Sequence, residues 1–363
     1  MTVNNLIHKG NKGEWSEIYV LLKLIADRFL AAADDNLAPL PEKSFIVHKI
    51  VREEAEQAVR IKKTYDLSGK VNETEIIEGK NKVIVSIGDL KNGVRTIFEK
   101  ITAGSGSFGI PEAEVYMREY RCTQIKAASA DKSDIHLVIQ DRFGPSEIES
   151  GFSIKTKYKA LPTLLNASKK NTNFTYEVLN TQSAKKSAKS SGAVRDNVTA
   201  IYDAGLSLKF IGIQAEVFKK NLRRIDGALP EILAAMLAHY YRGDASGIAE
   251  ITTLLEADPA LKHLQYSYED YKYKLQQLLE AVALGMTPAA EWNGRASAHG
   301  GYIVVRDEGE LICFHLYHRE IFLEYLFKNT KFDTPSTTRH AFGKIRKEKG
   351  KKYLDLNLQI RFK

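Results

Sequence analysis

The chain has 363 residues, of which 44% are hydrophobic and 27% charged, an ordinary composition for a globular protein with a core of its own. Its two cysteines form no CxxC pair or disulfide framework, and no run approaches the roughly 20 apolar residues of a membrane span or signal-anchor segment. These features predict a cytoplasmic protein, and the formal net charge of +8 is compatible with a polyanionic partner.

Hydrophobic spacing along the chain predicts a mixture of helices and strands. The first helix, over residues 14–33, has one apolar stripe that includes Ile18, Leu21 and Ile25. Further helices are predicted over residues 49–63, 93–101, 112–120 and, with interruptions, 229–284. Strands are predicted over residues 83–87, 134–141, 151–157, 206–214, 302–306, 311–317 and 353–362, with a turn over 143–150 and a loop over 183–192.

These elements predict an α/β protein in three parts. Residues 1–225 form an α/β core, residues 226–290 a helical segment, and residues 291–363 a β-rich C-terminal part that contacts DNA. Residues 152–194 carry eight lysines against one acid, and residues 339–363 carry nine Lys or Arg against two acids. Such clusters also occur as solubilising surfaces, but two separate clusters favour a nucleic acid partner whose phosphates they would neutralise.

Asp134, Ser153 and Lys155 form the pattern that points to chemistry. Asp134 opens one predicted strand, and Ser153 and Lys155 lie two residues apart on the next, so they share one face of that strand. Phosphodiester hydrolysis needs carboxylates that hold a divalent cation and a positive group near the water or the phosphate. The spacing Asp-x18-Ser-x-Lys resembles the PD-(D/E)xK nuclease motif, with serine where a second carboxylate is usual. The same residues are also typical of a strand-capping aspartate and an exposed strand lysine, and any long basic protein offers similar chance matches.

The serine in this motif means that another acid must supply the missing carboxylate, and Glu17 is the candidate. Gly13-x-x-x-Glu17, at the start of an amphipathic helix, resembles the first helix of many such nucleases, in which a glutamate points into the site. Glu17 also lies at the border of the apolar stripe of this helix. Glu14 and Glu177 are the alternatives. His136 shares a strand face with Asp134 and is interpreted as a packed or hydrogen-bonding residue. The expected cation is Mg²⁺, which prefers oxygen ligands.

Several blocks of sequence, spread over nearly the whole chain, resemble one known family. They are residues 11–17 (NKGEWSE), 130–136 (ADKSDIH), 151–155 (GFSIK), 163–168 (TLLNAS), 329–340 (NTKFDTPSTTRH) and 356–362 (LNLQIRF). Together, and in this order, they resemble the HpaII family of type II restriction endonucleases.

This resemblance implies a PD-(D/E)xK fold, in which a mixed sheet is flanked by helices, with Mg²⁺ as cofactor and double-stranded DNA as substrate. It implies recognition of CCGG, with cleavage after the first C of each strand. A DNA methyltransferase would be the functional partner, and a homodimer is one expected state. Asp134 and Glu17 would hold the metal, Lys155 would orient the water or stabilise the developing charge, and Ser153 would hold a water.

Two other functions fit part of the sequence. A basic protein that binds DNA without cutting it needs the basic clusters but not the carboxylates. A DNA methyltransferase is disfavoured, because the chain has no Pro-Cys pair and no Asn/Asp-Pro-Pro-Tyr motif. DNA contacts are expected from Lys157, Lys169, Lys170, Arg339 and His340. An arginine in a polar loop suits a guanine edge and a phosphate equally, so the role of Arg339 stays open.

Overall fold

The computed structural model describes residues 8–56, 59–128, 133–141, 147–157, 162–169, 171–180, 193–296 and 298–363. In chain order, its helices are α1 (Lys12–Asp27), α2 (Leu90–Ala103), α3 (Pro111–Glu119), α4 (Val194–Asp203), α5 (Glu216–Ile225), α6 (Leu229–Arg242), α7 (Ile248–Leu255), α8 (Tyr268–Ala283), α9 (Arg319–Asn329) and α10 (Thr337–His340). Its strands are β1 (Phe29–Ala33), β2 (Pro39–Glu56), β3 (Val59–Asp66), β4 (Glu73–Glu78), β5 (Asn81–Ser86), β6 (Ile135–Asp141), β7 (Glu147–Thr156), β8 (Thr163–Leu165), β9 (Asn173–Asn180), β10 (Leu206–Ile213), β11 (Gly301–Val305), β12 (Leu311–His315), β13 (Thr330–Phe332), β14 (Ile345–Glu348), β15 (Lys351–Asn357) and β16 (Ile360–Phe362).

The chain folds into two compact units, each drawn from two stretches of sequence. The first unit comprises Met1–Leu161 and Ser297–Phe322, and the second comprises Pro162–Ala296 and Leu323–Lys363. The functional division into residues 1–225, 226–290 and 291–363 stays a prediction.

The described strands of the first unit form a nine-stranded sheet in the order β1-β12-β11-β7-β6-β2-β3-β4-β5. Because β1 also pairs with β2, the strands from β1 round to β2 form a closed circle of hydrogen-bonded neighbours. The sheet is mixed, since β1 pairs with β12 and β7 pairs with β11 in parallel, whereas β6 and β7 are antiparallel. The α/β class expected from the sequence is therefore confirmed.

Backbone and side-chain hydrogen bonds define where helix α1 begins and ends. It begins at Asn11, whose side chain accepts the Glu14 N–H while the Glu14 carboxylate accepts the Asn11 N–H. It ends at Arg28, which has a left-handed backbone (φ 56°) and donates its N–H to the Leu24 carbonyl. The prediction of a helix over residues 14–33 is therefore wrong at its C-terminal end, where the chain leaves as β1.

The predicted helix over residues 49–63 is wrong. Residues 49–56 lie in β2 and residues 59–63 in β3, and these strands pair antiparallel with Arg52 opposite Lys63. Arg52, Glu54 and Lys63 face inward, and each is at most 2% exposed. Charges of both signs along a segment also suit an exposed helix, and a buried charged face gives no apolar alternation, so the residues alone do not reveal these strands.

Most other predicted elements are confirmed. The helices over residues 93–101 and 112–120 lie in α2 and α3, and the interrupted helical stretch over 229–284 is α6 to α8. The strands over residues 83–87, 134–141, 151–157, 206–214, 302–306 and 311–317 correspond to β5, β6, β7, β10, β11 and β12, and the stretch over 353–362 is divided between β15 and β16. Residues 147–150, predicted as turn, belong to β7, whereas residues 142–146 and 183–192 lie outside the described residues.

The described strands of the second unit form two smaller sheets. One is four-stranded, in the order β10-β9-β15-β14, and the other is three-stranded, in the order β13-β16-β8. Helix α6 is buried along most of its length and contacts α4, α5, α7 and β10. Within the described residues, every helix is too short or too polar to cross a lipid bilayer.

Candidate active site

Strands β6 and β7 bring Asp134, Ser153 and Lys155 together in the first unit. Ile135 pairs with Phe152, and the Asp134 N–H donates to the Phe152 carbonyl at 2.8 Å, which places Asp134 beside Ser153. Ser153 and Lys155 are two residues apart on β7 and therefore point to the same face. The side-by-side placement expected from the strand-turn-strand pattern is thus observed.

A line of hydrogen bonds joins these three side chains. Asp134 Oδ2 accepts the Ile154 N–H at 2.6 Å and the Ser153 hydroxyl at 3.1 Å, while Lys155 Nζ donates to Ser153 Oγ at 3.0 Å. The Lys155 ammonium also lies 5.2 Å from the centre of the Tyr302 ring on β11. Burial lowers the pKa of Lys155, and the charges of Asp134 and Glu17 oppose this effect. Lys155 is thus a partly buried residue that contacts Ser153 and Tyr302, rather than an exposed strand lysine.

Glu17 reaches the same site from helix α1. The residue is 7% exposed, and its Oε2 accepts the Ala127 N–H at 2.8 Å. Burial raises the pKa of Glu17 to about 7; the charge of Asp134 adds to the rise, whereas the Ala127 hydrogen bond, Arg52 and Lys126 oppose it. The charge of Asp134 therefore acts on the Glu17 carboxylate, and a bound cation would offset the repulsion between two such carboxylates.

The two alternative glutamates have other partners. The Glu14 residue is partly exposed, and its carboxylate accepts the Asn11 N–H at the start of α1. Glu177 lies on β9 of the second unit and forms an ion pair with Lys351 at 2.9 Å. The charge of Asp134 contributes to the raised pKa of Glu17, which links this glutamate to the site.

The donor set at this site suits a cation that keeps much of its water. Among the described residues, there is no group of three or more His, Cys, Asp or Glu side chains that could hold a metal ion. Mg²⁺ is usually bound through one or two carboxylates together with waters and substrate phosphates. The pair formed by Asp134 and Glu17 fits that mode of binding.

Sequence reasoning missed a charged cluster beside Glu17. Glu54 Oε1 accepts the Arg52 Nε–H at 3.0 Å, Glu54 Oε2 accepts from Lys63 Nζ at 2.7 Å, and Arg52 Nη1 lies 4.0 Å from Glu17 Oε2. Arg52 and Glu54 lie two residues apart, so a strand places them on one face, whereas the helix predicted over residues 49–63 would not.

An open cavity extends from Asp134 along the sheet. It is lined by Glu53, Lys62, Asp134, His136 and Glu149, among others. The His136 ring lies edge-on to the His299 ring, with 6.4 Å between the ring centres. His136 is therefore packed, as expected from the sequence, and it also borders the cavity.

The residues expected to contact DNA are divided between the units. Lys157 is exposed just after β7 in the first unit. In the second unit, Lys169 is exposed in a turn, and Arg339 and His340 lie in the short helix α10, with Arg339 exposed. Lys170 lies outside the described residues. Contacts of all five with DNA stay predictions.

Comparison with known proteins places the chain among the restriction endonucleases. A family model described as HpaII restriction endonuclease matches residues 11–362. The chain is also 36% identical over 357 residues to the type II restriction enzyme HpaII of Haemophilus parainfluenzae, with 97% of this chain and 98% of that enzyme covered. The chain therefore belongs to the HpaII restriction endonuclease family, and the resemblance seen in the sequence blocks is confirmed. No solved structure matches the chain.

Proposed function

We propose that the chain hydrolyses phosphodiester bonds of double-stranded DNA at a short specific site, with Mg²⁺ as cofactor. The observation that carries this proposal is the hydrogen-bonded line from Lys155 through Ser153 to Asp134, with the Glu17 carboxylate beside it. Membership of a restriction endonuclease family supports it. A basic protein that only binds DNA has no need for two neighbouring carboxylates beside a partly buried lysine, and so the site favours catalysis over binding alone.

The proposed fold of the first unit is a PD-(D/E)xK core. Its support is the arrangement in which an acid at the start of β6 lies beside the Ser-x-Lys segment of β7, with α1 supplying a glutamate. Ser153 occupies the position of the usual second acid. Its hydroxyl donates to Asp134 and accepts from Lys155, so it keeps the two groups in contact without adding charge.

Asp134 and Glu17 would hold the cation. When bound, Mg²⁺ would lower the pKa of the attacking water and neutralise charge that develops on the phosphate. Lys155, whose ammonium is held by Ser153, would stabilise that charge or orient the water. Because Lys155 is partly buried, its charge acts through a medium of lower effective dielectric constant than water, which strengthens the interaction.

Cleavage should depend on a divalent metal. We expect purified protein to cut a plasmid in Mg²⁺, to stop in excess EDTA, and to resume when Mg²⁺ is restored, because the two carboxylates cannot supply positive charge themselves. Gel electrophoresis of the products measures this. Undiminished cutting in EDTA would show that the metal mechanism is wrong, and binding without cutting under all conditions would favour the rival DNA-binding function.

The finer proposal is recognition of CCGG with cleavage after the first C of each strand. Its support is the resemblance to the HpaII family over nearly the whole chain. We expect sequenced fragment ends to map to CCGG and to carry 5′ overhangs. A DNA that lacks this tetranucleotide is the matched control and should remain intact. Ends that map consistently to another sequence would refute the site and leave the nuclease class standing.

Partners and location follow from this proposal. Cutting both strands of a symmetric site requires two cleavage events, which a homodimer with twofold symmetry would supply. A methyltransferase would protect the same sites in the host, whose cytoplasm is the proposed location. Lys157, Lys169, Lys170, Arg339 and His340 would contact the DNA, and residues 291–363 would form part of the contacting surface.

A further inference from the structure

The Arg52 guanidinium is buried beside the proposed metal site. Its side chain is wholly inaccessible, and it lies on β2 with its Nη2 donating to the carbonyl oxygens of Gln124 at 2.8 Å and Ile125 at 2.7 Å. Its Nε donates to Glu54. Among the described residues, Nη1 is buried without a hydrogen bond and lies 4.0 Å from Glu17 Oε2.

The planar shape of the guanidinium fixes where Nη1 points. An arginine presents its donors in one rigid fork, so anchoring Nε and Nη2 leaves Nη1 no freedom of its own. The anchor at Nε is itself held, because Glu54 Oε2 also accepts from Lys63 Nζ, at 2.7 Å, and from the N–H of Thr123, at 2.9 Å. Arg52 is thus aimed at Glu17 by groups that lie outside the site.

A second, indirect link joins Arg52 to Glu17 through the backbone of residues 124–127. The two carbonyls that it holds belong to Gln124 and Ile125, and the N–H of Ala127, two residues further on, donates to Glu17 Oε2. Glu17 Oε2 therefore lies 4.0 Å from the guanidinium and also accepts an N–H from the chain segment that the guanidinium anchors. Loss of Arg52 would release both constraints together.

We infer that Arg52 is a positioning residue that holds Glu17 and the backbone of residues 124–127 in the arrangement that metal binding requires. The inference rests on the proposed role of Glu17 as a metal ligand. It assigns Arg52 no contact with the substrate or the cation.

A positioning role and a purely electrostatic role of Arg52 predict opposite changes in metal affinity when Arg52 is replaced by a neutral residue. Removing a positive charge near a cation site should by itself tighten metal binding, because it removes a repulsion. Removing the residue that holds a ligand in place should weaken binding. Lys126 offers a matched control for charge, since it is exposed and its charge affects Glu17. Ile50, buried two residues before Arg52 on β2, offers a control for general loosening of that strand.

The experiment measures binding of Mn²⁺, an oxygen-seeking substitute for Mg²⁺, to the full chain by electron paramagnetic resonance. We expect Arg52→Gln to weaken binding at least tenfold, Lys126→Gln to leave it unchanged or tighter, and Ile50→Ala to change it less than twofold. Arg52→Lys keeps the charge without the fork, so it should also weaken binding, and it serves as the test if Arg52→Gln does not fold. Hydrogen exchange should show faster exchange of the Ala127 amide in both Arg52 variants.

The outcomes separate this inference from the proposed function. If Glu17→Gln binds Mn²⁺ as the parent does, the assignment of Glu17 as a ligand is wrong. If Glu17→Gln weakens binding while both Arg52 variants bind as the parent or more tightly, the positioning role is overturned and the proposed function stands. Weakening by Ile50→Ala equal to that by Arg52→Gln would also overturn it, because any loosening of β2 would then have the same effect.

Discussion

Asp134→Ala and Lys155→Ala should each lower the rate of DNA cleavage by at least about a hundredfold while DNA affinity changes little. A metal ligand and a stabilising cation act mainly on the transition state. Both side chains belong to one line of hydrogen bonds through Ser153, so each substitution removes one end of that line. Single-turnover cleavage of a plasmid measures the rate, and fluorescence anisotropy of a labelled duplex without metal measures the affinity.

DNA affinity should survive because many phosphate contacts share it. Asp134→Ala should even tighten binding in the absence of metal, since it deletes a negative charge beside the phosphate. Glu149→Gln is the matched control, because Glu149 borders the same cavity and its replacement also removes one negative charge. It should cut at close to the parental rate. Normal cutting by Asp134→Ala in Mg²⁺ would show that the proposed active site is wrong.

The local part of this site could be predicted from the sequence because neighbouring strands bring it together. Residues 134–141 alternate and are rich in β-branched side chains, residues 151–157 are predicted as a second strand, and strands joined by a short connection usually pair. Once β6 and β7 pair, the positions of Asp134, Ser153 and Lys155 follow from the period of two. Glu17 could be proposed because the start of α1 resembles the first helix of many PD-(D/E)xK nucleases. It also borders an apolar stripe, a position that faces the rest of the protein.

The parts that were missed depend on contacts between distant segments. Arg52 and Lys63 are buried because they donate to Glu54 and to backbone carbonyls of residues 121, 124 and 125, and no local pattern reports such pairing. The strands β11 and β12 return to the first unit from beyond residue 300, where β11 pairs in parallel with β7 and places Tyr302 beside Lys155. Spacing within a segment predicts which face is buried, but it does not identify the segment that covers it.

The requirement for Mg²⁺ should rise as the pH falls below 7, with Glu17 as the group responsible. Burial raises the pKa of its carboxyl to about 7, and the charge of Asp134 adds to this effect. Below that pH the carboxyl keeps a proton that the cation must displace, whereas above it the carboxylate is ready to bind. The Mg²⁺ concentration for half-maximal cleavage should therefore rise about tenfold for each pH unit below 7 and level off above it.

Glu17→Gln tests whether this carboxylate replaces the acid that Ser153 does not supply. It keeps the shape and the ability to accept the Ala127 N–H, but it removes the charge and the titrating proton. We expect it to need much more Mg²⁺ at pH 8, and its requirement should no longer vary between pH 6 and 8. Glu14→Gln, one turn earlier in α1, should keep the parental profile, because glutamine can still accept the Asn11 N–H. If Glu17→Gln instead cuts at the parental rate while Glu14→Gln or Glu177→Gln is inactive, the missing carboxylate is the one whose replacement abolishes cleavage.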